Sequence, residues 1–224
     1  MRTQHQVQTN GHDSDVDGQM GAWAPYYDGV MCLITLGRER SLRKMTVELA
    51  QIQPGDKVLE VGCGTGTLAL AAQARAGQSG VVHGIDAAPE MVAVARRKAA
   101  RAKAPVNFQV GKIGCIPFPN DEFDVVLCSF MIFHMPDDER RKGLVEICRV
   151  LKPGGRLLVM DMARPTRPGQ QSLAARLFGP MLRHDLEELI PEMAAAGFAE
   201  VETGPTTYPM VSFVRGQVRK TKAV

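Results

Sequence analysis

The chain has 224 residues, 45% of them hydrophobic, and a formal net charge of +3. That size and composition suit one globular domain with a sizeable core. No apolar run is long enough to span a bilayer, and no charged start followed by an apolar block marks a secretory leader. The small net charge argues against a nucleic-acid partner, and the basic run Arg96 to Lys103 reads as the solvated face of one helix. Cys32, Cys63, Cys115, Cys128 and Cys148 are odd in number and lack CxxC spacing. They suggest neither a zinc site nor a disulfide framework and fit reduced thiols in a cytoplasmic protein.

Residues 1–22 are polar and read as a loose tail, followed by a single domain over 23–224. Leu42, Met45 and Leu49 sit at helical spacing. Gln53-Pro54-Gly55-Asp56 is a turn, and "KVLEV" after it is a short buried strand. "TLALAAQARA" is a strong helix former. "VVHGID" is the next strand, and Pro89 opens a helix through "EMVAVARRKAARA". "VNFQV" and "FDVVLC" are the third and fourth strands. Acids follow Pro136 in the first turn of a helix with Leu144, Ile147, Cys148 and Leu151 on its apolar side. "KPGG" breaks the chain before a fifth strand, "RLLVMD". "RPTRPGQ" is a linker, and "QSLAARLFGPML" is an apolar helical insert that could wall a pocket, within 164–184. "HDLEELIPEMAAAGF" is a helix stopped by Gly197, and "AEVET" and "YPMVSFV" are closing strands. Strands alternating with helices in this way predict a doubly wound α/β fold around a mostly parallel sheet.

The stretch "EVGCGTGT" lies where the first strand meets a helix. Ligands of open parallel sheets bind beyond such strand ends. Gly62 and Gly64 permit a tight turn and close backbone approach, and Gly66 lets the next helix pack closely. Asp86 follows Gly66 by twenty residues and ends the second strand, where a carboxylate can accept from both hydroxyls of a ribose. A nicotinamide dinucleotide and S-adenosylmethionine both fit this pattern. The spacing G-x-G-x-G, rather than G-x-G-x-x-G, favours the second. So does Glu60, whose charge would repel a pyrophosphate and tolerate an ammonium or sulfonium.

Four segments in order then resemble a class I S-adenosylmethionine-dependent methyltransferase, in the branch of ubiquinone and menaquinone biosynthesis: "VLEVGCGTGTLAL", "GIDAAPEMVAVARRKA", "IPFPNDEFDVVLCSFMIFHMP" and "EICRVLKPGGRLLVMD". The resemblance spans about residues 40 to 161. It implies seven strands in the order 3-2-1-4-5-7-6, with strand 7 antiparallel. It also implies that backbone at Glu60, Gly62 and Gly64, with the Cys128 carbonyl, holds a methionine moiety. Asp86 would take the ribose, Ala87 and Met91 would line the adenine, and Ile113 would offer its N–H to an adenine nitrogen. Cys63, Gly66, Lys112, Ser129 and Tyr27 complete the implied cofactor contacts. Residues 23–50 would fold over the cofactor as a lid, with Tyr26 and Tyr27 able to face the sulfonium.

One position departs from the family pattern. The pair after the third strand often ends in an acid that accepts from the adenine amine. Here it reads Gly111-Lys112, and lysine has only donors. The reaction implied is in-line methyl transfer to a small organic molecule, in which the protein mainly positions the acceptor and excludes water. His134, just beyond the fourth strand, is the candidate general base; His184 is a weaker one, and His83 reads as structural. "CSFM" lacks the Asn/Asp-Pro-Pro-aromatic tetrad of nucleic-acid base methyltransferases, and no acid cluster suggests a metal. The alternative reading is a catalytically silent partner protein that binds S-adenosylmethionine.

Overall fold

The computed structural model describes residues 37–162, 185–208 and 211–219. The tail, Tyr26, Tyr27, His184 and the insert "QSLAARLFGPML" therefore lie outside the described residues. In chain order the elements are α1 (Glu39–Leu49), β1 (Lys57–Val61), α2 (Thr67–Ala76), β2 (Val81–Asp86), α3 (Pro89–Ala102), β3 (Val106–Val110) and β4 (Phe123–Ser129). A 3-10 turn (Ile132–His134), α4 (Asp137–Val150), β5 (Leu151–Met162), a second 3-10 turn (Leu186–Glu188), α5 (Leu189–Ala196), β6 (Phe198–Pro205) and β7 (Val211–Val218) follow.

The seven strands form one sheet in the order β3-β2-β1-β4-β5-β7-β6. The pairs from β3 through β5 are parallel, and β7 runs antiparallel to both neighbours. The expected topology is thus the observed one. Its switch point lies at β1, where the next strand is added on the opposite side from β2. That places a ligand crevice at the C-terminal ends of β1, β2 and β4.

Alternation along β1 sorts its side chains to two layers. Leu59 and Val61 join a core with α4 and α5 through Leu144, Ile147, Leu189 and Met193. Val58 joins the opposite core with α1, α2 and α3 through Val47, Leu68, Ala72 and Ala95. Glu60 shares the face of Val58 by the same alternation, which aims a carboxyl into the α1–α2–α3 layer. From Val58 to Val61 the strand is buried throughout, which requires helices on both faces, and the structure supplies them.

Three local readings change. The "KPGG" break is an excursion inside β5: Leu151 pairs with Phe123, and the register resumes at Arg156 opposite Val125. Gly154 makes the detour possible at φ 81°. The helix expected over 184–198 is a 3-10 turn followed by a shorter α5. Asp185 and Glu188 form a reciprocal capping box that starts the turn. The last strand begins at Val211 rather than Tyr208, because Thr206 and Tyr208 are held in a turn by the Thr206 hydroxyl.

α4 and α5 are tied by a two-pronged ion pair, Arg140 Nε and Nη2 to the Glu192 carboxylate at 2.8 Å each. The Arg140 side chain is only 5% exposed. Removing one partner strands a buried charge. Arg140→Ala should therefore lower stability by about 3 kcal/mol, read as a drop in the urea midpoint at an unchanged slope.

Candidate functional site

β1 ends at Val61 and the chain turns through three left-handed glycines, Gly62 at φ 69°, Gly64 at 50° and Gly66 at 77°. Two of them have a second reason to lack a side chain. A methyl group at Gly62 would meet Met131 Cγ at 2.7 Å, and one at Gly66 would meet Phe108 Cζ at 2.6 Å and Ala95 Cβ at 2.9 Å. Gly66 thus sets the close packing of α2 on β3 and α3, as expected. Cys63 N donates to Ile85 O at 2.9 Å and keeps the bend in line with β2.

Asp86 clasps this bend. Its Oδ2 accepts from Gly64 N at 2.8 Å, and its Oδ1 accepts from Ala88 N at 3.0 Å. Its carbonyl accepts from Gly111 N at 3.0 Å, which adds the end of β3. A carboxylate has about four acceptor directions. Two go to these backbone N–H groups. Beside Asp86, Ala88 and Met91 form a small buried apolar cluster packed on by Val94. Ala87 is half-buried.

Glu60 is the most unusual group of the site. It is 2% exposed, and its Oε2 has no partner among the described residues. Burial pushes its carboxyl up to about 8, against the opposing effects of the Arg43 guanidinium and a backbone hydrogen bond from Ala69. Ala69 lies in the first turn of α2, so Glu60 also braces the helix that the bend begins. Arg43 reaches in from α1. It donates to Ser129 Oγ at 3.4 Å and pairs with Glu39 at 3.4 Å, while its Nε is buried without a partner among the described residues. Lys98 caps the far side of the bend, donating to the Thr65 and Thr67 hydroxyls at 2.9 Å each. Burial, followed by the charge of Glu60, also pushes the Cys63 and Cys128 thiols up, so neither is poised as a nucleophile.

The third wall follows β4. Ser129 is 8% exposed, and Phe130 adopts φ 56°, a strained conformation pinned by its N–H to Met160 O at 2.8 Å. The backbone of His134 closes the 3-10 turn that follows, and its side chain is outside the described part. Ile113 is buried beneath Gly143 of α4, where a methyl group would lie 2.6 Å from Ile113 Cγ1. Lys112 is exposed and bridges to Cys115 across a tight loop. Tyr27 lies outside the described residues. His83 packs edge-on to Phe118 and Phe123, and burial lowers its basicity, which fits its structural reading. Among the described residues no group of three metal-ligating side chains occurs, and no helix is long and apolar enough to cross a membrane.

The structure brings Glu60, Gly62, Cys63, Gly64, Gly66, Asp86, Ala87, Met91, Cys128 and Ser129 to one end of the sheet. Arg43, Met131 and Phe130 belong to the same end and escape a reading of the sequence. Arg43 lies among Arg38, Arg40 and Lys44, so nothing in its local sequence sets it apart. A cavity of about 220 Å³ lined by Leu49, Gln51, Arg156, Glu202, Arg215 and Gln217 opens at the opposite end of β5 and β7, away from the glycine bend.

Residues 58–155 match the family described as "Methyltransferase domain". The demethylmenaquinone methyltransferase of Thermus thermophilus is 38% identical over 155 residues, which are 69% of this chain and 69% of that protein. The chain belongs to this family of ubiquinone/menaquinone-type methyltransferases. The ubiquinone/menaquinone biosynthesis C-methyltransferase UbiE of Geotalea daltonii is 37% identical over 144 residues, 63% of this chain, and the match spans only 60% of that protein's length. Among solved structures, an S-adenosylmethionine-dependent methyltransferase from Aquifex aeolicus superposes with a TM-score of 0.64 at 22% identity, over 79% of this chain and 89% of that one. That likeness supports the methyltransferase fold seen in the sheet order.

The bend itself is open to test. Gly66→Ala places a side chain at a left-handed φ, at a cost of about 1 kcal/mol, and overpacks Phe108 and Ala95, at a cost of about 2 kcal/mol. The thermal midpoint should fall by about 6 to 12 °C for a loss of that size, measured by calorimetry.

Proposed function

We propose that this chain transfers a methyl group from S-adenosylmethionine to a small organic acceptor by in-line displacement. The observation that carries the reading is the clasp: a side-chain-free bend at the end of β1 joined to the carboxylate at the end of β2, with a buried acid directly below. The residues fit the cofactor chemically. Glu60 presents a buried oxygen without a partner among the described residues, which suits an ammonium. Gly62 keeps the bend free of a side chain, with Met131 packed against the place where a methyl group would sit. Asp86 suits a ribose diol, Ala87 and Met91 suit an adenine face, and the backbone of Ile113 and Cys128 supplies a donor and an acceptor near them.

When bound, S-adenosylmethionine supplies a methyl group already activated on a sulfonium. The chain's own part is to hold, orient and dehydrate. Neutral buried thiols at Cys63 and Cys128 place no competing nucleophile beside the bend. His134, at the rim beyond β4, is the proposed base for an acceptor proton, a role in which an imidazole works near neutral pH. The names of the relatives point to a quinone-type ring carbon as the attacked atom. The sequence between β5 and the second 3-10 turn carries Leu173, Leu177 and Phe178, side chains of the apolar kind that such an acceptor needs.

Two measurements decide this. Extract incubated with the protein and labelled S-adenosylmethionine should yield one labelled product heavier by a methyl group, seen by mass spectrometry. Asp86→Ala should abolish both the product and the binding of S-adenosylhomocysteine, while His134→Ala should lower kcat at least tenfold and leave that binding unchanged. Retained product with Asp86→Ala would defeat the proposed site. A separate titration addresses adenine: Lys112→Asp restores an acceptor and should tighten S-adenosylhomocysteine several-fold, an expectation that weaker or unchanged affinity would contradict.

A further inference from the structure

Glu60 and Arg43 are two buried groups of opposite charge that do not complete each other. Glu60 uses one oxygen on Ala69 N–H and leaves the other without a partner among the described residues. Arg43 spends its guanidinium on Ser129 and Glu39 and leaves Nε unmatched there. A buried carboxyl with so little compensation is more stable with its proton than without it. A cation arriving beside it reverses that preference.

We propose that Arg43 is a positioning residue for cofactor capture: it biases Glu60 toward the carboxylate, and Glu60 releases its proton to solvent as the ligand's ammonium docks. This rests on the cofactor reading given above. The step balances simply, since an O–H bond of the acid breaks, water or buffer takes the proton, and the carboxylate remains as counter-ion to the ammonium.

The groups facing Glu60 from each packed element support one net direction. α1 brings Arg43, partly offset by Glu39; α3 brings Lys98; β2 brings Asp86. β5 adds Asp161 near Cys128, and the Cys63 and Cys128 thiols stay neutral. Burial outweighs all of these in the ligand-free site, and Arg43 is the strongest influence acting against it. The sign follows. A carboxyl raised to about 8 is almost wholly protonated at pH 6.5, so binding releases nearly one proton there; at pH 8 it is half ionised and binding releases about half as many. The ligand's own α-amino group sits beside a free carboxylate rather than at a peptide terminus, so it is largely protonated at both pH values and takes up little. A Glu60→Gln baseline removes that contribution, because the amide copies the shape of the neutral acid.

The test is calorimetric titration of the full-length chain with S-adenosylhomocysteine in two buffers of different ionisation enthalpy, at pH 6.5 and pH 8. The wild type should release nearly one proton more than Glu60→Gln at pH 6.5 and about half a proton more at pH 8. Arg43→Gln removes the opposing cation, so its release at pH 8 should climb toward one with several-fold weaker affinity, and Arg43→Lys should return both to wild-type values. An unchanged half-proton release in Arg43→Gln, whatever its affinity, would make Arg43 merely structural and overturn its assigned role. Wild-type binding without proton release at pH 6.5 would overturn the inference while leaving the cofactor reading intact. Failure of the wild type to bind S-adenosylhomocysteine would defeat both.

Discussion

The hydrogen bond from Gly64 N–H to the Asp86 carboxylate is the constraint on which the rest of the site depends. It spans two neighbouring strand ends and fixes a bend whose glycines all adopt left-handed angles. Such a bend would wander without an anchor, since glycine has the most conformational freedom to lose. Asp86 provides the anchor and at the same moment starts α3 through Ala88 N–H. One carboxylate therefore organises the ends of β1 and β2 and the first turn of α3, and its backbone carbonyl reaches the end of β3. Its charge assists, because a bond from N–H to an ionised acceptor is about twice as strong as a neutral one.

Much of this was legible in the sequence. "VVHGID" ends at Asp86 as read, Pro89 opens α3 as read, and the sheet order matches the one implied by the family resemblance. These readings succeed because local chemistry and tertiary placement agree there. Where they diverge, the cause is a contact that a linear pattern does not carry. The detour at Gly154 stays inside β5 because β4 resumes pairing at Arg156. Tyr208 leaves its expected strand because the Thr206 hydroxyl captures the local backbone. Within the site, the glycines and Asp86 stand out by spacing. Met131 and Phe130 do not, because only the folded chain brings Met131 against Gly62 and Phe130 N–H onto Met160 O.

The glycine bend is shaped as much by what lies behind it as by the ligand in front. Gly66 is closed on by Phe108 and Ala95, and Gly84 on β2 would meet the same Phe108 ring at 2.6 Å if it carried a methyl group. The ring of Phe108 fills the space that two glycines leave between α2, α3 and the sheet. The glycine fingerprint thus records two separate demands. Gly66 and Gly84 serve the packing of Phe108 in the layer behind the sheet, whereas Gly62 makes room for Met131 from the segment after β4, and all three glycines of the bend supply its left-handed turn. A count of glycines merges these demands; the contacts separate them.

α1 stands outside the alternating strand–helix frame, yet it contributes a buried cation near the site. Its buried face carries Arg43 and Thr46 beside Leu42 and Val47. A helix docked only to cover a sheet would place apolar groups at those positions. Thr46 satisfies itself on Leu42 O at 2.8 Å and touches Met160 Sδ at 3.1 Å, so it costs little. Arg43 pairs with Glu39 one turn back, reaches Ser129 across the layer, and among the described residues its Nε stays unmatched. A group this expensive to bury is accounted for by the acid it influences. Through it, a helix that precedes the first strand becomes part of the electrostatics of the strand ends.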